Sequence, residues 1–444
     1  MKIYNTLHHK LEEFKPLSKI VKIYTCGPTV YGFQHIGNYA SYIYWDLLIR
    51  TLKANHYQVQ RILNFTDVGH LTSDADTGED KMEKTARKEN KSVFEIAQFY
   101  GDDFLRNFRM LNLLEPDKIA RATNYIEQDK QAVNLMSKNG FTYETTDGIY
   151  FDTSKFADYT KFAKLDLEHL QAGARVELSP EKKHPSDFAV WKFIQPNEKH
   201  AMRWDYLNRP GYPGWHLECS TIIHTEFKEP IDIHTGGIDH IPVHHTNEIA
   251  QTFALSGKPL AKYWLHCNFI TINGQKISKS IGNIYTIDDL SKAGFSPMDF
   301  KMWVLQGHFQ GERNFTFDSL SSAQTRRLNW RNRIALTYQK PLNQKLDILP
   351  QLNQNLNSPT AFALIDATPD LSFATWQHID NLLGLNLIQD APPLSPQLTQ
   401  LISQREAYRQ AKNWQMSDQL RTQLEQQGIT IKDTSTGPFW QYCQ

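Results

Sequence analysis

Two short runs of this chain carry residues that could handle phosphate. In the first, Cys26-Gly27-Pro28-Thr29 is followed by His35-Ile36-Gly37-Asn38. A glycine-bearing turn that leaves a strand and opens a helix points backbone N–H groups and a helix dipole at an anion. A histidine at that turn can donate to a phosphate oxygen. In the second, Lys276-Ile277-Ser278-Lys279-Ser280 lies between Asn273-Gly274 and Ile281-Gly282-Asn283. Two ammonium groups and two hydroxyls on a glycine-flanked loop suit closure over a polyphosphate, where catalysis rests on positioning and charge neutralisation. Either run alone also fits a structural turn histidine or a solvated charged loop. Both together, in this order, are specific.

A third set has the donor types of a zinc site. His244 and Glu248 stand at i and i+4, on one helix face. Cys26 closes the first strand, and Cys219 follows Trp215-His216-Leu217-Glu218. Two thiolates, an imidazole and a carboxylate are zinc ligands by type. The long gaps between them differ from a zinc finger, and buried free cysteines beside a hydrogen-bonded histidine would read the same way. The i, i+4 spacing favours His244 over His245, while His216, His224 and His240 remain alternative imidazoles.

These residues need a scaffold. A β-rich run over 21–25 is broken by Cys26-Gly27-Pro28, after which Ile43, Leu47, Leu48 and Leu52 recur at helical spacing. A second strand is expected over 59–65, stopping at Thr66-Asp67. Strand, turn, helix, strand is the opening of a parallel α/β sheet. From 72 to 91 the chain is charged and poor in apolar residues, as in a surface loop passing into a helix. Phe94, Ala97, Phe104, Phe108 and Leu111 then mark a helix, and Asp147-Gly148 between β-formers predicts a hairpin. Sheet-type order resumes near Asp187 and continues through 231–234, so 100–185 reads as a short, mostly helical insertion between two halves of the sheet. After Asp318 strand signals fade and helical patterns are divided by Pro341, Pro350, Pro359 and Pro392-Pro393, ahead of a polar helix closing at Gly428.

Composition sets the limits. A chain of 444 residues exceeds one ordinary domain, and 40% hydrophobic residues exclude wholesale disorder. Lys plus Arg and Asp plus Glu both number 48, which argues against a non-specific nucleic-acid coat protein but not against a local RNA-gripping patch. Four distant cysteines cannot staple the chain, so Cys26 and Cys219 are better read for metal or catalysis. No apolar run reaches the roughly eighteen residues of a membrane span, and the opening Met1-Lys2-Ile3-Tyr4 lacks the regions of a signal peptide. A cytoplasmic protein with no membrane partner is expected.

The two phosphate-type runs resemble the HIGH and KMSKS signatures of class I aminoacyl-tRNA synthetases. Further runs narrow the resemblance to the cysteinyl-tRNA synthetase family: Tyr24 to Tyr31, Asn64-Phe65-Thr66-Asp67, Pro185 to Lys192, Gly211 to Ser220, and Asp232 to Asp239. The ending, Ser417 to Arg421 with Gly428 to Thr434, is similar too. The match is dense over 20–320, good over the last 45 or so residues and thin between.

The resemblance implies a Rossmann-like parallel-sheet catalytic domain over 1–318 with a connective insertion at 100–185. A helical bundle over 319–400 and a small anticodon-side α/β region over 401–444 would follow. It implies ATP-dependent activation of L-cysteine to cysteinyl-adenylate and transfer to tRNA(Cys). His35, Asn38, Lys276 and Lys279 would be catalytic. Gly27, Pro28, Thr29, Gly37, Gly236, Gly237, Asp239, Ser278 and Ser280 would join them around ATP. Cys26, Thr66, Trp215 and His234 would hold cysteine, and Cys26, Cys219, His244 and Glu248 one zinc ion. Mg2+ would accompany ATP, and a monomer is expected.

Zinc has a physical rationale in such an enzyme. Cysteine and serine differ by one atom, which an apolar pocket discriminates weakly, whereas a metal that favours sulfur separates thiolate from hydroxyl. Departures from the family pattern are Asn38 in place of the second signature histidine, Ile277 in place of methionine, a longer stretch over 67–82 and an abbreviated bundle. Two other readings share these residues: a ligase joining cysteine to a small amine, as in mycothiol biosynthesis, and a non-catalytic RNA-binding paralogue. The C-terminal region discriminates, since a sugar amine needs none. There Arg326, Arg327, Arg331 and Arg333 could follow an RNA backbone, and Trp440 could stack a base.

Overall fold

Lys22 is the one charged residue of the strand Ile20–Thr25 (β1), which is otherwise largely buried. The computed structural model describes residues 1–68, 81–164, 181–196, 198, 200–228, 230–278, 281–434 and 437–443, and β1 lies at the centre of its five-stranded parallel sheet. The other strands are Gln58–Phe65 (β2), Lys118–Arg121 (β3), Ile231–Gly237 (β4) and Ala261–Cys267 (β5). Their spatial order is β5–β4–β1–β2–β3, every neighbour parallel. Winding therefore runs outward from β1 through β2 to β3, then returns to start again at β4. The carboxyl ends of β1 and β4 flank the crevice that such a reversal opens.

Parallel strands need crossovers, and helices supply them. Between β1 and β2 runs Ile36–Ala54 (α1), which buries Ile36, Tyr39, Ala40, Ile43 and Leu47 at helical spacing. Lys81–Glu89 (α2) and Val93–Met110 (α3) link β2 to β3. Ser92 and Glu95 cap α3 reciprocally, each side chain accepting the other's backbone N–H at 3.2 and 2.8 Å. Phe104 and Phe108 of α3 then meet the Tyr42 ring of α1 at 5.1 and 6.1 Å. The later helices that frame the site are Ile126–Lys138 (α4), Leu217–Phe227 (α5), Thr246–Ser256 (α6), Ile287–Lys292 (α7), Pro297–Leu305 (α8) and Phe317–Thr337 (α9).

The insertion does not lie where the sequence placed it. β3 belongs to the parallel sheet although it falls inside 100–185, and α3 packs on the sheet's core. The departure is instead an antiparallel sheet of Thr142–Glu144, Gly148–Phe151, Phe188–Phe193, Arg209–Pro213 and Trp204–Tyr206, adjacent in that order. Among the described residues it is a sheet, where a mostly helical piece was expected. The expected Asp147-Gly148 hairpin joins its first two strands.

Beyond the parallel sheet and its helices, Ser358–Ala367, Phe373–Leu383 and Pro396–Gln410 lead to Trp414–Gln426 and the hairpin Ile429–Thr434 with Gly437–Tyr442. The hairpin is tied to α9 and the turn after it. Asn332 Oδ1 accepts the Tyr442 N–H at 2.9 Å, and Gln339 Oε1 accepts the Trp440 N–H at 2.8 Å.

One buried charge cluster joins these layers. Asp46 of α1 and Lys301 of α8 are both fully buried and meet at 2.8 Å. Lys301 also donates to the Leu111 and Asn112 carbonyls, and Asp46 accepts from Arg50 and from the Leu114 N–H. Burial raises the Asp46 carboxyl, but Lys301 and Arg50 outweigh it and hold it below its ordinary value. A carboxylate depressed in the folded state contributes stability above its unfolded pKa and loses it as pH falls through the folded value. Lys301→Met leaves Asp46 with Arg50 as its remaining cation, so urea denaturation near neutral pH should show a loss of about 3–5 kcal/mol. That loss should shrink as the medium is acidified below the carboxylate range.

Candidate active site at the carboxyl end of the sheet

β1 ends at Thr25 and the chain turns at Cys26, whose N–H donates to the Thr235 carbonyl of β4 at 3.2 Å. The two lips of the crevice are thus joined at its base. Gly27 N–H donates to Asn64 Oδ1 at 2.8 Å, while Thr66 exchanges backbone hydrogen bonds with Pro28 and Val30, both at 3.1 Å. A Cβ at Gly27 would lie 1.6 Å from the Asn64 carbonyl oxygen, so only glycine fits. Thr29 pairs with Thr66 across the same bridge.

The next turn delivers His35 to the start of α1. Asn38 Oδ1 accepts the His35 N–H at 3.1 Å. The side chain expected to face a ribose or phosphate therefore uses its oxygen to start the helix and keeps its amide NH2 for other work. A Cβ on Gly37 would approach Ile277 Cδ1 to 2.8 Å, which shows that the two signature runs lie side by side. Ile36 N–H donates to the Tyr285 carbonyl at 2.8 Å, tying the lysine loop's exit to α1. Asn283 clips that loop by accepting from Ser278 N–H at 2.8 Å and donating to the Lys276 carbonyl at 3.1 Å. Lys276 is exposed. Lys279 and Ser280 lie outside the described residues. On the opposite lip Asp239 is exposed, with its carboxylate folded back over Gly237, and Gly236 leaves room for the His245 ring.

Deeper in the crevice, Cys26, Cys219, His244 and Glu248 present one donor atom each within 4.8 Å of one another, and all four are buried. Cys26 stands at the end of β1, Cys219 in the first turn of α5, His244 in the turn leading into α6 and Glu248 in the first turn of α6. The Trp215 ring stacks on His244 at 5.1 Å. Burial pushes the Cys26 thiol up to about 11 and Cys219 well above its ordinary value. Burial also opposes ionisation of Glu248, but His234 and His244 beside it hold that carboxyl far below its usual range. His244 is pushed up against its burial, chiefly by Glu248. Neither Glu248 oxygen has a well-directed hydrogen bond among the described residues, although His234 Nε2 stands 2.9 Å and His244 Nε2 3.3 Å away. Buried thiols and an under-satisfied carboxylate converging on one point form the donor set of a metal centre.

The surroundings were only partly expected. His245 also reaches Cys26, its Nε2 lying 3.3 Å from the sulfur, while its Nδ1 meets His266 Nε2 at 2.7 Å and His266 Nδ1 meets Thr6 Oγ1 at 2.9 Å. Cys26, His234 and His245 make a second, overlapping donor group. His216 Nδ1 lies 3.1 Å from His244 Nδ1, and His240 packs against both His244 and His245. His224, by contrast, sits in the last turn of α5 and belongs to neither group. Thr66 donates from Oγ1 to Glu218 Oε2 at 3.0 Å. Glu218 is buried, and burial raises its carboxyl well above the ordinary range. The sequence pointed to Glu218 only through its place beside Cys219; nothing in it pointed to His266.

The proposed RNA contacts of the C-terminal half are corrected. Arg327 is buried and bound to Asp299 at 2.7 Å and to Asp390 at 2.5 Å. Arg331 donates to the Asp390 carbonyl and lies over the Tyr442 ring, Arg333 donates to the Ile365 and Thr368 carbonyls, and Arg326 pairs with Asp366. These arginines hold α9 to its neighbours and do not form an open basic stripe. Trp440 is 8% exposed and packs edge-on against Tyr442, so it is core. The exposed tryptophan of this region is Trp414, at 58%.

Residues 13–325 match the family model of the class I (C) tRNA synthetase catalytic domain, and 391–440 match that of the cysteinyl-tRNA ligase anticodon binding domain. The chain belongs to the cysteinyl-tRNA synthetase family. Among its relatives, the cysteine–tRNA ligase of Treponema denticola is 35% identical, with 99% of each chain covered. Cysteine–tRNA ligase 1 of Burkholderia lata is 39% identical over 98% of this chain and 95% of its own. Methionyl-tRNA synthetase of Mycobacterium tuberculosis, solved in complex with methionyl-adenylate, shares the fold. Its TM-score is 0.57 at 15% identity, covering 91% of this chain and 88% of its own. Among the described residues no helix is long and apolar enough to cross a membrane.

The crowding at Gly27 is open to test. Gly27→Ala should cost about 1–3 kcal/mol by forcing the Asn64 backbone aside. Gly32→Ala, where no atom lies within 4 Å of the added carbon, should stay within about 0.5 kcal/mol of the wild type. Urea denaturation of the two variants compares them directly.

Proposed function

We propose that this member of the family activates L-cysteine with ATP and transfers it to tRNA(Cys), acting as a monomer with no membrane partner. The observation that carries this reading is the buried group of Cys26, Cys219, His244 and Glu248 at the base of a crevice whose rim holds both signature runs.

Cysteine would lie between Cys26, Thr66, Trp215 and His234, with the half-buried Trp215 as an apolar wall. ATP would lie along the amino end of α1, near Gly27, Pro28, Thr29 and Gly37, and reach across to Gly236 and Gly237. Asp239 is suited to accept hydrogen bonds from ribose hydroxyls. The amino-acid carboxylate attacks the α-phosphorus, forming cysteinyl-adenylate, and pyrophosphate departs with its electron pair. His35 and the Asn38 amide would donate to phosphate oxygens, while Lys276, Lys279, Ser278 and Ser280 would neutralise the charge that develops on pyrophosphate; Mg2+ would accompany ATP. A terminal ribose hydroxyl of the tRNA then attacks the activated carbonyl and AMP leaves.

Cys26, Cys219, His244 and Glu248 would hold one zinc ion, which when bound supplies a thiophilic position that separates cysteine from serine. Support for the tRNA arm comes from the anticodon-domain match over 391–440. The exposed Trp414 ring on that region offers a stacking face for an unpaired base.

Amino-acid-dependent ATP–pyrophosphate exchange across all standard amino acids tests the reading, with cysteine expected as the one strong substrate and charging expected for cysteine tRNA. Equal exchange with serine would sink it. Cys219→Ser should lower both zinc content, from about one per chain, and cysteine-dependent exchange, because a hydroxyl replaces a thiolate ligand. Lys279→Ala should slow adenylate formation by the equivalent of about 2–4 kcal/mol while leaving cysteine affinity nearly intact, since its charge matters most as pyrophosphate forms. Single-turnover adenylate formation at the wild-type rate would remove Lys279 from this role.

A further inference from the structure

A chain of buried hydrogen bonds runs from the turn after β1 to α5, and its direction is fixed from one end. Gly27 N–H donates to Asn64 Oδ1 at 2.8 Å. A backbone N–H can only donate, so the Asn64 atom facing it is the amide oxygen, and the NH2 group is the one turned toward Thr66. Asn64 Nδ2 lies 3.2 Å from Thr66 Oγ1, and Thr66 Oγ1 lies 3.0 Å from Glu218 Oε2. The NH2 group also can only donate. The Thr66 hydroxyl therefore accepts from Asn64 and sends its own proton to Glu218. An un-ionised carboxyl accepts through one oxygen as an ionised one does through both, so this direction does not depend on the charge of Glu218. With its proton committed, Thr66 keeps one lone pair and can serve a further partner only as an acceptor.

Packing alone does not explain Glu218. It is 1% exposed in the first turn of α5, and its other oxygen has no hydrogen bond among the described residues. A carboxyl buried and half satisfied costs free energy that an apolar side chain of similar size would not. We propose that Glu218 is a positioning residue for amino-acid recognition: it fixes the Thr66 hydroxyl as an acceptor for the α-ammonium of cysteine. The inference rests on the ligase reading above, which sets cysteine beside Thr66. An ammonium group brings donors only and so matches what Thr66 has left to offer, whereas a carboxylate or thiolate would meet a lone pair.

Two fragments of the substrate separate this role from general support of the pocket. Cysteamine keeps the thiol and the ammonium, and β-mercaptopropionate keeps the thiol and the carboxylate. In cysteine-dependent pyrophosphate exchange, Thr66→Val should raise the KM for cysteine about 10- to 100-fold, the loss of one hydrogen bond to a charged group. The rate at saturating cysteine should change little, because the contact is made equally before and during the reaction. Glu218→Met should raise KM in the same direction but less steeply, and Thr66→Ser, which keeps the hydroxyl, should stay near the wild type. Thr66→Val and Glu218→Met should weaken inhibition by cysteamine in step with cysteine, leave inhibition by β-mercaptopropionate as it is, and leave zinc content unchanged. Since Glu218 acts through Thr66, the double variant should be no worse than Thr66→Val alone. An unchanged KM, equal weakening of both fragments, loss of zinc from Glu218→Met or additive effects in the double variant would each overturn the proposal. Should Glu218→Met fail to fold, Glu218→Gln carries the test: its amide oxygen still accepts from Thr66 and keeps the wild-type KM, and a rise that weakens both fragments equally overturns the proposal. Absence of cysteine-dependent exchange in the wild type would instead overturn the ligase reading, and this proposal with it.

Discussion

The reversal of winding between β1 and β4 is the constraint on which the site depends. Right-handed crossovers running outward in opposite directions place their helices on opposite faces of the sheet. Alternate residues of β1 accordingly enter two separate cores: Ile23 joins the one that contains α1, and Tyr24 the one that contains Cys219 and Trp264. Where the helices part, the strand ends have no cover, and the single hydrogen bond from Cys26 to Thr235 closes the base of the opening. Cys26 is therefore a strand terminus and a metal-type donor at once. Its position is set by the sheet, not by a flexible loop.

Around that sulfur the protein accumulates groups that are costly to bury. His240 is held down at about 4, first by burial and then by His244 despite the nearby Asp239, and burial together with neighbouring imidazoles also lowers His245 and His266. Burial thus disfavours charge on these three rings, whereas Glu248 is held down and His244 pushed up by their mutual attraction. Neutral imidazoles can orient one another through the Cys26–His245–His266–Thr6 chain without adding repulsion. Preorganised dipoles of this kind lose nothing to rearrangement when a cation or substrate arrives.

The C-terminal half shows the same economy of charge in a structural setting. The Arg327 guanidinium bridges Asp299 of α8 and Asp390, and Arg331 covers the Tyr442 ring of the terminal hairpin. α9 thus acts as the post to which the catalytic body and the anticodon-side region are both attached. Helical periodicity can place Arg327 and Arg331 on one face, but it carries no information about whether that face meets water, RNA or another helix.

Local chemistry was legible in the sequence to the extent that it is local. The turn after β1, the α1 periodicity, the Asp147-Gly148 hairpin and the i, i+4 relation of His244 to Glu248 follow from backbone preferences and spacings within a few residues, and resemblance to a family added the distant partners. What lay beyond that reach needed the fold. β3 is a four-residue strand, Lys-Ile-Ala-Arg, too short and polar to show a pattern, and only pairing with β2 makes it part of the sheet. His266 enters the site because β5 runs parallel to β4 and sets it opposite Gly236. Trp440 is buried because α9 lies beneath the hairpin, whereas Trp414 stays exposed. Sequence determined which side chains were able to do chemistry; tertiary structure decided which of them meet and which are covered, because burial and contact are properties of pairs of distant segments that no single segment encodes.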